Sequence, residues 1–333
     1  MSSPLLPPAL LRAPIRGVGI TAMLSAPLLL LVVLFLESTE EAAPSHYRLL
    51  KAVSHRRVKI DHSRGRLGNR MREWASGLGV AHRNEGATLC SLTDNGLSAY
   101  FHGPFPVCPK DHTTSAYKTR SNDVTGLVLG ADDGRDIQLG GYLSNCKNFA
   151  DIHDEVAQAF TLLDEHKEAA ATFLESYQHK IKVGIQVRRG DKARDKTFSS
   201  AFLPTVQYFS EAIAVVRREM GGTISRASLA FFVASDDINW CKEQEAFQAD
   251  DVYFIEGGSV ISDFSILLQM DHFITSEGTF GWWAAWLGAW KRGGNVYHTG
   301  QMDKDRWCDN SETPRWSTVP GDDNSNWNVL AGA

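Results

Sequence analysis

The sequence predicts an α/β fold built on parallel sheets, carried behind an N-terminal membrane-spanning segment. Three observations lead there. From Lys182 to His298, short apolar runs alternate with amphipathic segments, the pattern of βαβ units. Val183, Ile185 and Val187 alternate as a strand does, and their run ends in Arg188-Arg189-Gly190-Asp191. Gly17 to Leu36 is a stretch of 20 residues without a charge, and about 20 apolar residues span a bilayer core.

The elements follow in order. Residues 1–16 form a short tail with Arg12 and Arg16, and the apolar run occupies 17–36. Basic residues before the run favour a cytoplasmic N-terminus, so the remainder is expected beyond the membrane. A cleaved signal peptide is the competing reading, but its apolar region is typically about 7–15 residues. Residues 37–54 then form a stem. Val58 to Asp61 reads as a strand, a turn with Gly65 and Gly68 follows, and a helix runs from about Arg70 to Arg83 with Met71, Trp74, Ala75 and Leu78 on one face. Ala87 to Leu92 is the next strand. Thr93 to Arg135 is rich in turn-forming residues and yields no assignment. A strand near Asp136 to Leu143 and a long helix from Asp154 to His179 complete the first half.

The second half has strands at Lys182–Arg188, Ser228–Ala234, Asp251–Ile255, His272–Thr275 and Asn295–His298. Helices at Thr205–Met220, Asp237–Phe247, Ser262–Met270 and Thr279–Lys291 alternate with them. In such a sheet, ligands bind beyond the carboxyl ends of the strands. Arg188 to Asp191, Ala234 to Asp237, Glu256 to Ser259 and Ser276 to Thr279 therefore share one rim. Asp236 or Asp237 is expected to cap the following helix.

The chain has 333 residues, 43% hydrophobic and 22% charged, with a net charge of −5. It is long enough for two ordinary domains. It lacks the basic footprint of a nucleic-acid binder. The five cysteines show no metal-ligand spacing, and in an oxidising compartment some are expected to pair, leaving at least one free or bonded to another chain.

Two adjacent guanidiniums at a strand end suit a multiply charged anion, because arginine pairs phosphate through a planar fork that keeps its charge. An ion-paired surface turn is the competing reading. Arg188 is expected to face the anion and Arg189 to hold the turn, since successive side chains leave a strand on opposite faces. Thr279, at a helix start, offers a hydroxyl and backbone N–H groups to phosphate. Gly65 and Gly68 permit close backbone approach. Phe280, Trp282, Trp283 and Trp286 are spaced as helix core residues, with a sugar platform as the alternative.

Four stretches resemble the galactoside α-1,2-fucosyltransferase family in order and spacing. They are Gly65-Arg66-Leu67-Gly68-Asn69-Arg70-Met71, Val187-Arg188-Arg189-Gly190-Asp191, Phe231 to Asp237 with Trp240-Cys241 behind it, and Gly278 to Leu287. The resemblance implies a GT-B-like fold of two Rossmann-like α/β domains, here residues 55–179 on the acceptor side and 180–333 on the donor side. It implies inverting transfer of fucose from GDP-fucose to the 2-hydroxyl of a terminal β-galactoside, with no metal required, by a single-pass type II protein of the Golgi membrane. Arg188, Arg189 and Asp191 are then the catalytic candidates. Gly65, Gly68, Asn69, Gln186, Ser235, Asp236, Gly278, Thr279 and Phe280 are the donor-binding ones, with Ser235 and Asp236 assigned to the guanine or ribose. Asp191 is expected to organise the second arginine or to take the acceptor proton.

Gln186 stands where the family signature has histidine. It keeps a hydrogen-bond donor and acceptor but cannot shuttle a proton near neutral pH, so a donor-orienting role is expected. Arg70 replaces the family's glutamine. The competing functions are an α-1,6 or peptide O-fucosyltransferase and a catalytically silent sugar-binding relative. Acceptor choice is expected to lie between Thr93 and Arg135 and after Gln301.

Overall fold

A computed structural model describes residues 56–299 and 315–319, apart from 63–64, 111–114, 131, 195–202, 222–227 and 277. The apolar run at 17–36 and the expected stem lie outside the described residues. Two parallel sheets organise the rest. The first contains β1 (Arg57–Asp61), β2 (Thr88–Ser91), β3 (Ala116–Thr119) and β4 (Asp136–Gly140), in the order β2-β1-β4-β3. The second contains β5 (Ile181–Val187), β6 (Leu229–Ser235), β7 (Val252–Phe254), β8 (His272–Thr275), β9 (Asn295–His298) and β10 (Arg315–Thr318), in the order β10-β9-β8-β5-β6-β7. The expected two-sheet α/β architecture is therefore present.

The helices are α1 (Leu67–Arg83), α2 (His153–Ala159), α3 (Asp164–Phe173), α4 (Gly190–Arg194), α5 (Val206–Gly221), α6 (Ile238–Glu243), α7 (Val260–Leu267) and α8 (Thr279–Trp290). Several bounds differ from those read in the sequence, each for a local reason. The expected helix over 154–179 breaks at Thr161 and Leu162, which pair with the strand-like segment at Phe101; His102 N–H donates to the Thr161 carbonyl and Leu163 N–H to that of Tyr100. The helix expected from Arg70 starts at Leu67, because Asn69 and Arg70 already donate to the Arg66 carbonyl. The strand expected to reach Leu143 stops at Gly140, where Gly141 turns with a φ of 83°. The edge strands β3 and β10 carry no apolar alternation and left no periodic signal.

In the first sheet, Val58, Ile60, Ile137 and Leu139 are fully buried and belong to the same core as α1. Its opposite face is polar: Arg57 and Lys59 both pair with Asp136, at 2.9 and 2.6 Å. The second sheet is covered on both sides. Phe231, Val233 and Ile185 pack with α5, while Phe232, Phe273 and Val296 face the core that contains α7 and α8. That second core is continuous with the one under the first sheet. Helix α8 explains the continuity. Gly281 to Ala289 are buried on every side, and Trp283 stacks on Phe149 at 5.4 Å. The tryptophans expected to be core residues are core residues, with Trp282 and Trp283 fully buried and Trp286 nearly so.

The junction of α1 with α8 is close because Gly68 has no side chain. A Cβ there would lie 2.7 Å from the backbone and hydroxyl of Thr279. Trp283 Nε1–H donates to the Gly68 carbonyl at 2.9 Å, and Thr279 Oγ1 donates to Asn69 Oδ1 at 3.0 Å. Cys90 and Cys108 form a disulfide, Cys146 is also disulfide-bonded, and Cys241 is free and buried.

Two outcomes are expected. Gly68→Ala should destabilise by about 1–3 kcal/mol, the cost of overpacking a tight contact, seen as a lower urea midpoint with an unchanged slope. His153 lies between Trp286 and Trp290, with ring centroids 4.2 and 3.5 Å away, and burial pushes its pKa down to about 4. Its native state binds the proton later than the unfolded chain, so stability present above about pH 6.5 is lost as pH falls towards 4. The full loss is about 3 kcal/mol. Denaturation across that range should show a shallower acid decline for His153→Phe than for the wild type; equal slopes refute the assignment.

Candidate functional site

The carboxyl-terminal rim of the second sheet gathers most of the candidate residues. Strand β5 delivers Arg188, and two linked contacts fix its backbone. The Arg188 N–H donates to Ser276 Oγ at 2.8 Å, and Ser276 Oγ donates to Gln186 Oε1 at 2.9 Å. Ser276 is fully buried and Gln186 is 5% exposed. Gln186 therefore lies beneath the rim and holds Arg188 through a serine. Gly281 allows this, since a Cβ there would meet Gln186 Oε1 at 2.6 Å.

The Arg188 guanidinium pairs with both Asp236 and Asp191. Asp236 also accepts from the Arg189 N–H at 2.8 Å. Gly190 makes room for that carboxylate; a Cβ would meet Asp236 Oδ2 at 2.3 Å. Asp191 reaches in the other direction too, to Arg66 Nη2 at 2.5 Å, on the loop before α1. Desolvation raises the pKa of Asp191, but Arg188 and then Arg66 outweigh it, leaving it below the ordinary carboxylate value. Burial lowers that of Arg188, opposed by Asp191.

Arg189 turns away. Its guanidinium lies 3.7 Å from the centre of the Trp240 ring, and its Nε is 3.7 Å from Asp237 Oδ2. Asp191 thus serves Arg188 rather than the second arginine. Neither aspartate caps α6: Asp237 occupies the N-cap position without a side-chain capping bond, because both carboxylates are drawn to arginines. Ser235 Oγ accepts from the Asp237 N–H at 2.9 Å, so its hydroxyl is engaged within its own turn.

A cleft of about 490 Å³ opens here, lined by Arg66, Gly190, Asp191, Arg194 and Asp236. Gly278, with a φ of 151°, sits beside the Arg188 stem; a Cβ would be 3.8 Å from Arg188 Cγ. Its extended left-handed backbone starts α8 and brings Thr279 to Asn69. Gly65 presses on Asn69, whose Cβ would lie 2.5 Å from an added one. Phe280 turns inward onto Phe264, with ring centroids 5.3 Å apart. The rim therefore unites Arg188, Asp191, Asp236 and Gly278. Asn69, Gly68 and Thr279 join it through the α1–α8 junction, and Phe280 belongs to the packing behind.

Four residues escaped the sequence reading. Arg66 and Arg194 line the cleft, yet neither sits on a periodic pattern. Ser276 differs from no ordinary turn serine until its partners are seen. Asp263 lies in the first turn of α7 beside Gly258, its Oδ1 lacks a hydrogen-bond partner, and burial pushes its pKa up to about 6. A lone acid in the apolar run Val260 to Leu267 was the available signal. At the first sheet, His62 bridges Glu73 at 2.7 Å and Ser91 at 3.1 Å, tying the start of the Arg66 loop to the sheet.

Residues 48–317 match the profile of glycosyl transferase family 11. The galactoside α-(1,2)-fucosyltransferase 2 of Pongo pygmaeus is 31% identical over 240 residues, 67% of this chain and 67% of its own. The galactoside 2-α-L-fucosyltransferase SEC1 of Bos taurus is 29% identical over 248 residues, 71% of this chain and 65% of its own. The chain thus spans about two thirds of the length of these relatives. The crystal structure of the fucosyltransferase NodZ from Bradyrhizobium superposes with a TM-score of 0.51 at 14% identity, covering 70% of this chain and 93% of that one. At that identity the likeness shows a shared fold.

The Gln186–Ser276–Arg188 chain makes a testable pair. Ser276→Ala and Gln186→Leu should each weaken pyrophosphate binding by about fivefold to tenfold, the scale of one lost hydrogen bond. The double variant should lose no more than either single one. Calorimetric titration reads this directly, and additive losses would show that the two act separately.

Proposed function

The chain belongs to glycosyl transferase family 11, and on that premise we propose that it transfers fucose from GDP-fucose to the 2-hydroxyl of a terminal β-galactoside. The single observation that carries the donor assignment is Arg188: its backbone is pinned from beneath and its guanidinium sits at the rim of a cleft that also presents Arg66 and Arg194. Family membership and the identity to named galactoside fucosyltransferases support the sugar and the acceptor.

The chemistry follows from charge. As the bond between fucose C1 and the diphosphate oxygen breaks, negative charge grows on the β-phosphate. Arg188 is the group placed to stabilise it, and the N-terminus of α8 lies alongside, with the Thr279 hydroxyl engaged by Asn69. Carboxylates of Asp191 and Asp236 pair with Arg188, so the diphosphate replaces one or both as partner. Asp191 has its pKa held down by Arg188 and Arg66, which makes it a weak base. Its role is accordingly to hold the cations until the donor arrives. The acceptor hydroxyl attacks C1 from the face opposite the leaving group, which inverts the anomeric centre. Arg189, stacked on Trp240, keeps the turn in place.

Three guanidiniums supply the positive charge that a divalent ion supplies elsewhere, and a metal-independent reaction is proposed on that basis. Gln186 contributes an acceptor oxygen to Ser276, a task that requires no titrating group. That supports an active enzyme over a silent relative. The apolar run at 17–36 and the disulfide-bonded cysteines support placement in the Golgi membrane with the catalytic part in the lumen.

Arg188→Ala should cut transfer from GDP-fucose to a β-galactoside by about 10²–10³-fold, with the melting temperature little changed. Near-normal turnover at saturating donor would remove Arg188 from the mechanism. Wild-type turnover should persist in excess EDTA.

A further inference from the structure

A second cleft, of about 410 Å³, lies at the carboxyl end of the first sheet, lined by Asp61, Lys118, Thr119, Arg120, Gln138 and Gly140. The strand register places Asp61, Lys118, Gln138 and Gly140 on one face, whereas Thr119 pairs with the core-facing Leu139. Lys59, Gln138 and Lys118 lie side by side across β1, β4 and β3, and Asp61 lies beside Gly140. This is the polar face, the one turned away from α1. The Arg120 stem crosses Gly140, where an added Cβ would meet Arg120 Cγ at 3.4 Å and Asp61 Cβ at 3.8 Å. The bare strand end thus makes room for the Arg120 stem.

The charges on this face fall into two groups. Arg57 and Lys59 are satisfied by Asp136. Lys118 and Arg120 are exposed, and neither has a carboxylate within ion-pair distance among the described residues. A chain with a net charge of −5 therefore presents a locally cationic cleft. Asp61 and Gln138 add acceptors and donors suited to hydroxyl groups. A bare phosphate would have no use for the carboxylate of Asp61. A sugar carrying an acidic group uses both sets.

Position ties this cleft to the donor site. Asp61 and Arg66 are five residues apart, so their Cα atoms are separated by at most about 18 Å. Arg66 lines the donor-side cleft. The two clefts therefore lie within reach of each other along one short stretch of chain.

We propose that the Asp61–Lys118–Arg120 cleft is an acceptor subsite that selects glycans bearing a carboxylate or sulfate on the sugar next to the terminal galactose. This rests on the fucosyltransferase reading for the identity of the glycan. Arg120 and Lys118 bind the acidic group, and Asp61 and Gln138 bind hydroxyls of the same ring.

The test is calorimetric binding to the full lumenal chain with three disaccharides that share a terminal β-galactose. They are N-acetyllactosamine, its 6-sulfated form and β-galactosyl glucuronic acid. Either or both acidic probes should bind about fivefold tighter than the neutral one, as expected for exposed charge pairs. The advantage should shrink with added salt and disappear in Lys118→Gln/Arg120→Gln, with the neutral probe and GDP bound as before. The sulfate and glucuronate arms identify which acid is preferred. Equal affinities for all three probes, or an acidic advantage that survives the double variant, would overturn the proposal. Failure of the wild type to bind GDP would instead count against the fucosyltransferase reading, and the glycan comparison would still decide the subsite.

Discussion

The approach of α1 to α8 at Gly68 is the constraint on which the rest of the structure depends. Two helix starts, one from each sheet, meet where a single Cβ would collide with Thr279. The contact is held by the Trp283 indole on the Gly68 carbonyl and by Thr279 on Asn69. Everything that defines the cleft at the rim of the second sheet is referenced to this point. Arg66 precedes α1, Gly278 precedes α8, and Arg188 lies beside Gly278. A shift of one helix against the other would separate Arg66 from Asp191 and remove one wall of the cleft.

The charged rim has a consistent logic. Arginines at a strand end are expensive to leave unpaired when partly buried, and the structure assigns each its own aspartates. Arg188 takes Asp191 and Asp236, while Arg189 takes Asp237 and the face of Trp240. The rim shows the ion-paired turn, and under the function proposed above the anion site is that same arrangement with a diphosphate in place of the carboxylates. Carboxylates hold the guanidiniums in place, and an anion of higher charge can exchange with them. Buried neutral groups below the rim set the position. Gln186 and Ser276 fix the Arg188 amide without adding charge near the ligand.

The parallel strands of the second sheet and the helix face of α1 were legible because their apolar periods are strong. Arg188 and the tryptophan helix were legible for the same reason, as one ends a period and the other is apolar throughout. The edge strands β3 and β10 were not, since an edge strand with polar side chains on both faces carries no alternation. The break between α2 and α3 was hidden because it is caused by pairing with Tyr100 and His102, some sixty residues earlier in the chain. The same non-local dependence hid Arg66, Ser276 and the true partner of Asp191. Each acquires its meaning from a residue distant in sequence, and local pattern cannot report that. The capping expectation for Asp236 and Asp237 failed because a nearby guanidinium is a stronger partner for a carboxylate than an exposed backbone amide.

The core beneath the first sheet runs without interruption through α8 to one face of the second. A protein whose two lobes are joined by a thin linker can open like a jaw, sliding its halves apart at little cost. Here such an opening would pull Phe149 from Trp283 and bring buried indoles into water. An opening of that kind is therefore costly in this fold. Partner changes at the rim, such as Arg188 leaving Asp191, can proceed without disturbing that core.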